Sequence, residues 1–291
     1  MKKKELLSPK LDIVFHALFR EENKHLLGAL ISAVLEEKVK VLTTDKNRYV
    51  DTKEAKQKLG IMDLRAELEG GVQCNIEIQL QSQKYETERI LLYWADTYKR
   101  QIKRGDDYEV LNKTISIVIL NHEIEILKGI EELGIKWQIR DNKTGKRVLT
   151  DRLEIVIIEL PKARRIYNQD KDNKISQWMM FLDQPNDKEV SNIMAKNEDI
   201  RKAIEELEQV SGDEKLQRIA ELREKAIRDE HAAMSYAIEK RIEGTEEKKE
   251  EHNGKKEKTV DIAKKMLKEN LPIELIEKIT GLSKEEIQKF S

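Results

Sequence analysis

Between Ile61 and Gln79 the chain alternates apolar and polar residues on both sides of a Glu-Gly-Gly turn, and that pattern permits a single register. Successive strand residues point to opposite faces, so a slip of one residue would turn a whole apolar set towards solvent. Met62, Leu64, Ala66 and Leu68 must therefore share a face with Val72, Cys74, Ile76 and Ile78. A three-residue loop, 69–71, achieves this by pairing Leu68 with Val72 and Met62 with Ile78. Gly71 is then available for the left-handed position of a bulged turn. The same register sets Asp63 directly opposite Glu77, with Gln79 two residues along on that polar face. Directly opposed residues carry Cβ atoms roughly 5 Å apart, where like charges are destabilising. Two readings follow. The pair is an unlucky contact on a solvent-facing strand pair, or a divalent cation bridges the two carboxylates. Mg²⁺ is typically held by one or two carboxylates together with waters and phosphate oxygens. A metal held there can activate water and stabilise an in-line phosphoryl transition state.

The flanking segments supply the order of elements. Apolar residues at helical spacing predict two short helices between about 10 and 35, broken by the charged REENK. VKVLTTD (39–45) reads as a strand and the charged segment 46–58 as a loop. After the hairpin comes a long helix, about 83–103, with Leu91, Trp94, Ala95, Tyr98 and Ile102 on one face. TISIVIL is an unbroken β-rich run, as expected of a strand buried on both faces. IKWQIRD and RLEIVIIEL read as further strands, with NKTG turn chemistry between them. After Pro161 the composition changes to helices rich in Lys and Glu, and no strand pattern returns. The stretch 243–258 is charged and almost free of core residues, a linker or a solvated helix extension. The last segment divides into three short helices: Pro272 opens the second, Gly281 stops it, and Ser283 with Glu286 forms a capping box for the third.

Composition narrows the classes. With 291 residues, 38% hydrophobic and 38% charged, the chain can bury one large core or two unequal ones. A net charge of −1 makes the whole molecule no electrostatic magnet for nucleic acid or membrane, so binding to either needs a local basic patch. Cys74 is the only cysteine, which excludes an internal disulfide and any zinc site built on cysteines. No signal peptide and no membrane span are read from the sequence, and a cytoplasmic protein is expected.

The α-β-β-β-α-β order, with acids on the second and third strands, resembles the PD-(D/E)XK nuclease core. The wider chain resembles one branch, the Rpn recombination-promoting nuclease/putative transposase family, also called PD-(D/E)XK nuclease family transposases. PKLDIVFHALF (9–19), KLGIMDLRAEL, NIEIQLQ, ETERILLYWADTYKRQIKRGDDY, ISIVIL, LEIVIIEL and ITGLSKEEI carry the likeness, which spans nearly the whole chain. The resemblance implies an α/β fold: a restriction-endonuclease-like core with a mixed central sheet, followed by an all-helical C-terminal region. It implies a nuclease-like domain over 1–165, a helical extension over 166–242, a charged linker over 243–258 and a small three-helix segment over 259–291.

By the same resemblance Asp63 and Glu77 would bind Mg²⁺ or Mn²⁺, with the Ile78 carbonyl as a further ligand. Gln79 stands where the superfamily usually has a lysine, although this branch characteristically carries Gln there. Arg89, always protonated, is the best substitute cation, or else it pairs with Glu86 or Glu88. Asp12 matches an acidic position of the family's first helix and would hold metal or water, or cap the helix. His16 replaces the family's usual lysine. Lys99, Arg100, Lys103 and Arg104 would track DNA phosphates, which supply most non-specific affinity, or merely complement a helix dipole. Lys162, Arg164 and Arg165 form a second basic cluster. The expected function is a Mg²⁺-dependent endodeoxyribonuclease acting on double-stranded DNA. The rivals are a catalytically silent DNA-binding or transposition accessory protein, and a helical oligomerisation protein. The tail, 262–290, resembles a helix-turn-helix only loosely, and its apolar surplus at Met266, Leu275, Ile276 and Ile279 points to a homodimer through the helical C-terminal region.

Overall fold

The computed structural model describes residues 5–44, 62–268 and 272–289, with the backbone alone for Met62, Asp63, Leu275 and parts of the long C-terminal helix. The expected loop at 46–58 lies outside the described residues. The chain divides into two compact units, Met1–Ala226 and Ile227–Ser291.

In the first unit, α1 (Asp12–Leu18) and α2 (Lys24–Leu35) are separated by a 3-10 turn at Glu21–Asn23, within the charged REENK. Strands β1 (Val41–Thr44), β2 (Met62–Leu68) and β3 (Gln73–Gln79) follow, then helix α3 (Glu86–Lys99). Next come β4 (Thr114–Leu120), β5 (Ile135–Trp137) and β6 (Leu153–Glu159). Helices α4 (Leu160–Gln169), α5 (Lys174–Asp183), α6 (Lys188–Lys196) and α7 (Glu198–Val210) complete the set that precedes the long α8 (Glu214–Lys268). The six strands form one mixed sheet in the order β1-β2-β3-β4-β6-β5. Its centre is parallel, β3 to β4 and β4 to β6, while β1, β2 and β5 join antiparallel. All seven residues of β4 and all seven of β6 are buried, which is why both carry apolar residues towards both faces.

The hairpin has the expected register. Met62 pairs with Ile78, Asp63 with Glu77, Leu64 with Ile76 and Ala66 with Cys74. The Leu68 amide donates to the Val72 carbonyl at 2.8 Å, closing the three-residue loop. Both glycines of that loop, Gly70 and Gly71, take positive φ (82° and 77°), which residues with a Cβ rarely adopt.

Helices cover both faces. α3 packs on β3 and β4. On that side Ile90 and Trp94 meet Val118, Leu120, Leu153, Ile155 and Ile157. The other face presents Leu64, Ala66, Ile76, Ile78, Ile117, Ile119 and Val156, all buried. There α2 lies against β1 and α5, and α1 against α7. An aromatic chain joins Phe15 to Phe19 (4.7 Å), Phe19 to Trp178 (6.4 Å) and Trp178 to Phe181 (5.9 Å between ring centroids). The Lys- and Glu-rich helices after Pro161 are thus packed against the first two helices of the chain.

Two expectations need adjustment. α3 ends at Lys99, so only one of the four basic residues at 99–104 is inside it. The strand expected over IKWQIRD pairs only at Ile135–Trp137, and a single Arg140–Val148 bridge continues it towards the Asp141–Gly145 turn. The charged stretch 243–258 falls inside α8, the helix-extension alternative.

In the second unit α9 (Ile273–Thr280) and α10 (Lys284–Gln288) follow α8. Ala263, Ile276, Leu282 and Ile287 form its core, with Val260, Met266, Leu267 and Ile273 against them. Pro272 is the N-cap of α9 and Gly281 its left-handed stop (φ 72°). Ser283 and Glu286 make the reciprocal capping box of α10. Ile276 is fully buried in this small core, whereas Ile262 and Ile279 are exposed.

Candidate active site

The register places the two acids opposite each other, and the sheet decides their surroundings. Residues 73, 75, 77 and 79 of β3 face the α3 side. Asn75, Glu77 and Gln79 are 3%, 1% and 1% exposed. This end of the polar face is therefore roofed by a helix. For Glu77 the solvent-facing alternative does not apply, because a carboxylate so deeply buried is costly unless bonded or bound.

Gln79 Nε2 donates to Glu77 Oε1 at 3.0 Å, which fixes the amide's orientation and leaves its oxygen turned away. Among the described residues that oxygen, Gln79 Oε1, has no hydrogen-bond partner, and neither has Asn75 Oδ1 or Ser116 Oγ. Asn75 and Ser116 are lateral neighbours in the β3–β4 register, so the unsatisfied oxygens lie along one face. Each such buried atom costs about 1–3 kcal/mol. Two acids opposed in the backbone register, with buried oxygen acceptors on the same face as Glu77, suit a hard divalent cation with its waters. Among the described residues no three His, Cys, Asp or Glu side chains gather closely enough to hold a metal by themselves. A cation here would complete its shell with water and backbone carbonyls.

α3 also carries the candidate cation. Arg65 of β2 approaches Asp96 at 3.7 Å, so the flank of α3 bearing Asp96 faces the hairpin. Arg89 and Tyr93 share that flank, at the helical spacings i−7 and i−3 from Asp96. Arg65 pairs with Asn75, which sets the level of Asp96 along β3. Seven residues of helix rise about 10 Å, and three residues of strand also span about 10 Å. With the helix running back along β3, Arg89 stands level with Glu77 to Gln79. Its guanidinium bonds Gln83 and lies 5.8 Å from the Tyr93 ring, and its Nη2 is buried without a hydrogen-bond partner among the described residues.

Other predicted residues lie elsewhere or are already engaged. Asp12 pairs with the buried Arg223 at 2.7 Å. Two residues before it, Lys10 Nζ bonds Asn121 Oδ1 (2.9 Å) and Asp183 (2.6 Å), and the Asn121 amide bonds the Gln79 carbonyl (2.9 Å). The chain entering α1 thus reaches the C-terminal ends of β3 and β4, though the Asp12 carboxylate is held by Arg223. Lys99, Arg100, Lys103 and Arg104 are exposed. Arg100 pairs with Asp96 at 2.7 Å, and Asp106 takes the Lys103 amide. The second basic cluster is divided between the interior and the surface. Lys162 is buried against Glu159 and bonds the Leu127 and Ile130 carbonyls; Arg164 pairs with Asp187 and Arg165 with Glu131. Cys74 is buried as expected, and burial with nearby Glu154 pushes its thiol up to about 12.

The sequence reading missed one pair at this end of the sheet. His122 Nε2 lies 2.7 Å from Glu86 Oε1. The two are 36 positions apart, so spacing gave no sign of them. The available signal was topological: Glu86 opens the helix after β3, and His122 follows the strand that pairs with β3.

A family model for PD-(D/E)XK nuclease family transposases matches residues 9–237. The chain belongs to that family. The match extends well beyond β6, taking in α4–α7 and the first part of α8, so the packed helices belong to the family's own region. A second model, for the C-terminal helix-turn-helix domain of the Rpn/YhgA-like nuclease family, matches residues 256–291. The loose helix-turn-helix likeness of the tail is thereby made firm, and such a domain suggests DNA binding for this family member. No curated protein and no solved structure matches the chain. Among the described residues no helix is long and apolar enough to cross a membrane.

Proposed function

We propose that this nuclease-family chain is a metal-dependent endonuclease that hydrolyses phosphodiester bonds of double-stranded DNA. The observation that carries the reading is the Asp63–Glu77 register with Glu77 buried beneath α3. Asp63 and Glu77 hold Mg²⁺ or Mn²⁺, with the Ile78 carbonyl as a further ligand. When bound, such an ion polarises the phosphoryl group and makes water a better nucleophile near neutral pH. The chain's own groups do the positioning. Gln79 Nε2 orients Glu77, and its unpartnered oxygen accepts a hydrogen bond from a water molecule. An amide cannot supply the positive charge of a lysine. Arg89, level with the pair, supplies it instead. Asp12, engaged by Arg223, holds the start of α1 beside the site rather than binding the metal.

Lys99, Arg100, Lys103 and Arg104 contact phosphates on the exposed end of α3 and the turn after it, and the helix-turn-helix tail adds a second DNA contact. The exposed Ile262 and Ile279 support a homodimer through the C-terminal region. A second reading, a silent DNA-binding accessory to transposition, is favoured by the amide of Gln79 in the lysine's place. Plasmid nicking separates the two. Nicking with Mg²⁺ or Mn²⁺ that stops with chelator and is lost in Asp63→Ala supports the nuclease. Absence of nicking with either metal, with intact DNA binding, supports the accessory protein.

A further inference from the structure

We propose that His122, held by Glu86, is a catalytic base of this site, a role resting on the nuclease reading above. Three observations converge. His122 Nε2 lies 2.7 Å from Glu86 Oε1, with the two side chains only 17% and 9% exposed. A carboxylate accepts only, so in the tautomer in which a neutral ring donates to Glu86 through Nε2–H, the lone pair lies at Nδ1. His122 Nδ1 is itself buried with no hydrogen-bond partner among the described residues.

The placement matches the chemistry. Gln79 pairs with Leu120 across β3 and β4, and the Asn121 amide then bonds the Gln79 carbonyl. His122 comes two residues after Leu120 and turns to the α3 side, where Glu86 meets it in the first turn of α3. Glu77, Gln79 and Leu120 occupy that same face. Arg89, nearly one turn after Glu86, stands over it too. Three buried polar atoms without hydrogen-bond partners among the described residues, Gln79 Oε1, Arg89 Nη2 and His122 Nδ1, belong to residues at the C-terminal end of β3, in the first turn of α3 and just after β4. They offer an acceptor, a cationic donor and a base. The site that has an amide in place of the superfamily's lysine gains a titratable group from the end of the next strand.

The step balances as follows. Water oxygen attacks phosphorus while its proton passes to His122 Nδ1. The P–O3′ bond breaks with its electron pair remaining on O3′. The resulting imidazolium is stabilised by Glu86 through Nε2–H, and its proton returns to solvent or to the leaving oxygen. Glu86 of α3 bonds His122, and Glu123 is beside it in the chain. Lys10 and Glu159 reach its neighbours Asn121 and Ile124.

His122→Gln separates this role from a structural one, because the Gln amide can still donate to Glu86 but cannot take a proton. In Mn²⁺-supported plasmid nicking, the full-length variant is expected to lose about 10²–10⁴-fold in kcat. Its Mn²⁺ affinity by calorimetry and its thermal midpoint should match wild type. The acidic limb of the wild-type pH–rate profile should vanish in His122→Gln and move in Glu86→Gln. In metal-free wild-type protein, ¹⁵N NMR should show the Nε2–H tautomer at His122. Wild-type nicking rates in His122→Gln, or an unchanged acidic limb, overturn the assignment while leaving the nuclease reading intact. Absence of nicking in wild type with either metal overturns both.

Discussion

Replacing Asp63 with Asn should make the metal-free protein more stable while removing its activity. Asp63 is the better position to change, since Glu77 is tied to Gln79 and its loss would also strand the amide. The register puts the two carboxyl-bearing residues directly opposite, with Cβ atoms about 5 Å apart. Two like charges at about 5 Å repel by roughly 0.8 kcal/mol in water and about 3 kcal/mol at an effective dielectric constant of 20. Glu77 is buried and β2 adjoins the edge strand β1, so a gain of about 1–3 kcal/mol is expected where both groups are ionised. For a unit of this size each kcal/mol raises the midpoint by about 2–4 °C. Thermal unfolding of wild type and Asp63→Asn in chelator should show that rise. Added Mn²⁺ should then raise the wild-type midpoint, by mass action on a site present only in the folded state, and leave the variant nearly unmoved. A lower midpoint for the variant in chelator, or an equal metal-induced rise in both proteins, would refute the shared-cation argument.

The basic end of α3 makes a quantitative claim of its own. Lys103→Ala with Arg104→Ala should weaken DNA binding uniformly across sequences and flatten the log–log salt dependence by up to about two units; an unchanged slope returns these residues to a solvated helix end. Truncation after residue 242 should leave the first unit folded, because the sheet and the acid pair precede it. DNA affinity or particle mass by light scattering should fall, and if neither does, the tail is neither DNA reader nor dimer contact. Cys74, with its thiol pushed up to about 12 by burial, should resist a thiol-reactive dye in native protein at pH 8 and react fully in denaturant. Rapid native labelling would mean that the hairpin's apolar face opens.

What the sequence made legible was mostly local. Alternation set the hairpin register, and with it the Asp63–Glu77 pair, because a period of two leaves no second solution. The caps at Pro272, Gly281 and Ser283 were readable because capping chemistry is contained within four residues. Pairings across long separations were not legible. Asp12 could look like a ligand or a cap because nothing near it names Arg223, and His122 looked solitary because Glu86 is on another element. Lys162 is instructive in another way. Its partner Glu159 is one turn away, but charge alone does not reveal that both are buried. Exposed and buried lysines are written with the same letter, and only the loop carbonyls of Leu127 and Ile130 distinguish them here.

The aromatic chain from Phe15 to Phe181 also bears on how the protein is made. The first two helices emerge from the ribosome with Phe15, Phe19, Leu27 and Ile31 bare, and α5 and α7, which pack against them, are translated far later. At about 5–20 residues per second, the interval between Phe19 and Trp178 is on the order of ten to thirty seconds. For that time the first two helices present an apolar side without its helical partners. A gene fragment ending near residue 165 would leave the chain in that condition permanently. It should therefore demand chaperones or aggregate, even though it encodes every strand and both acids.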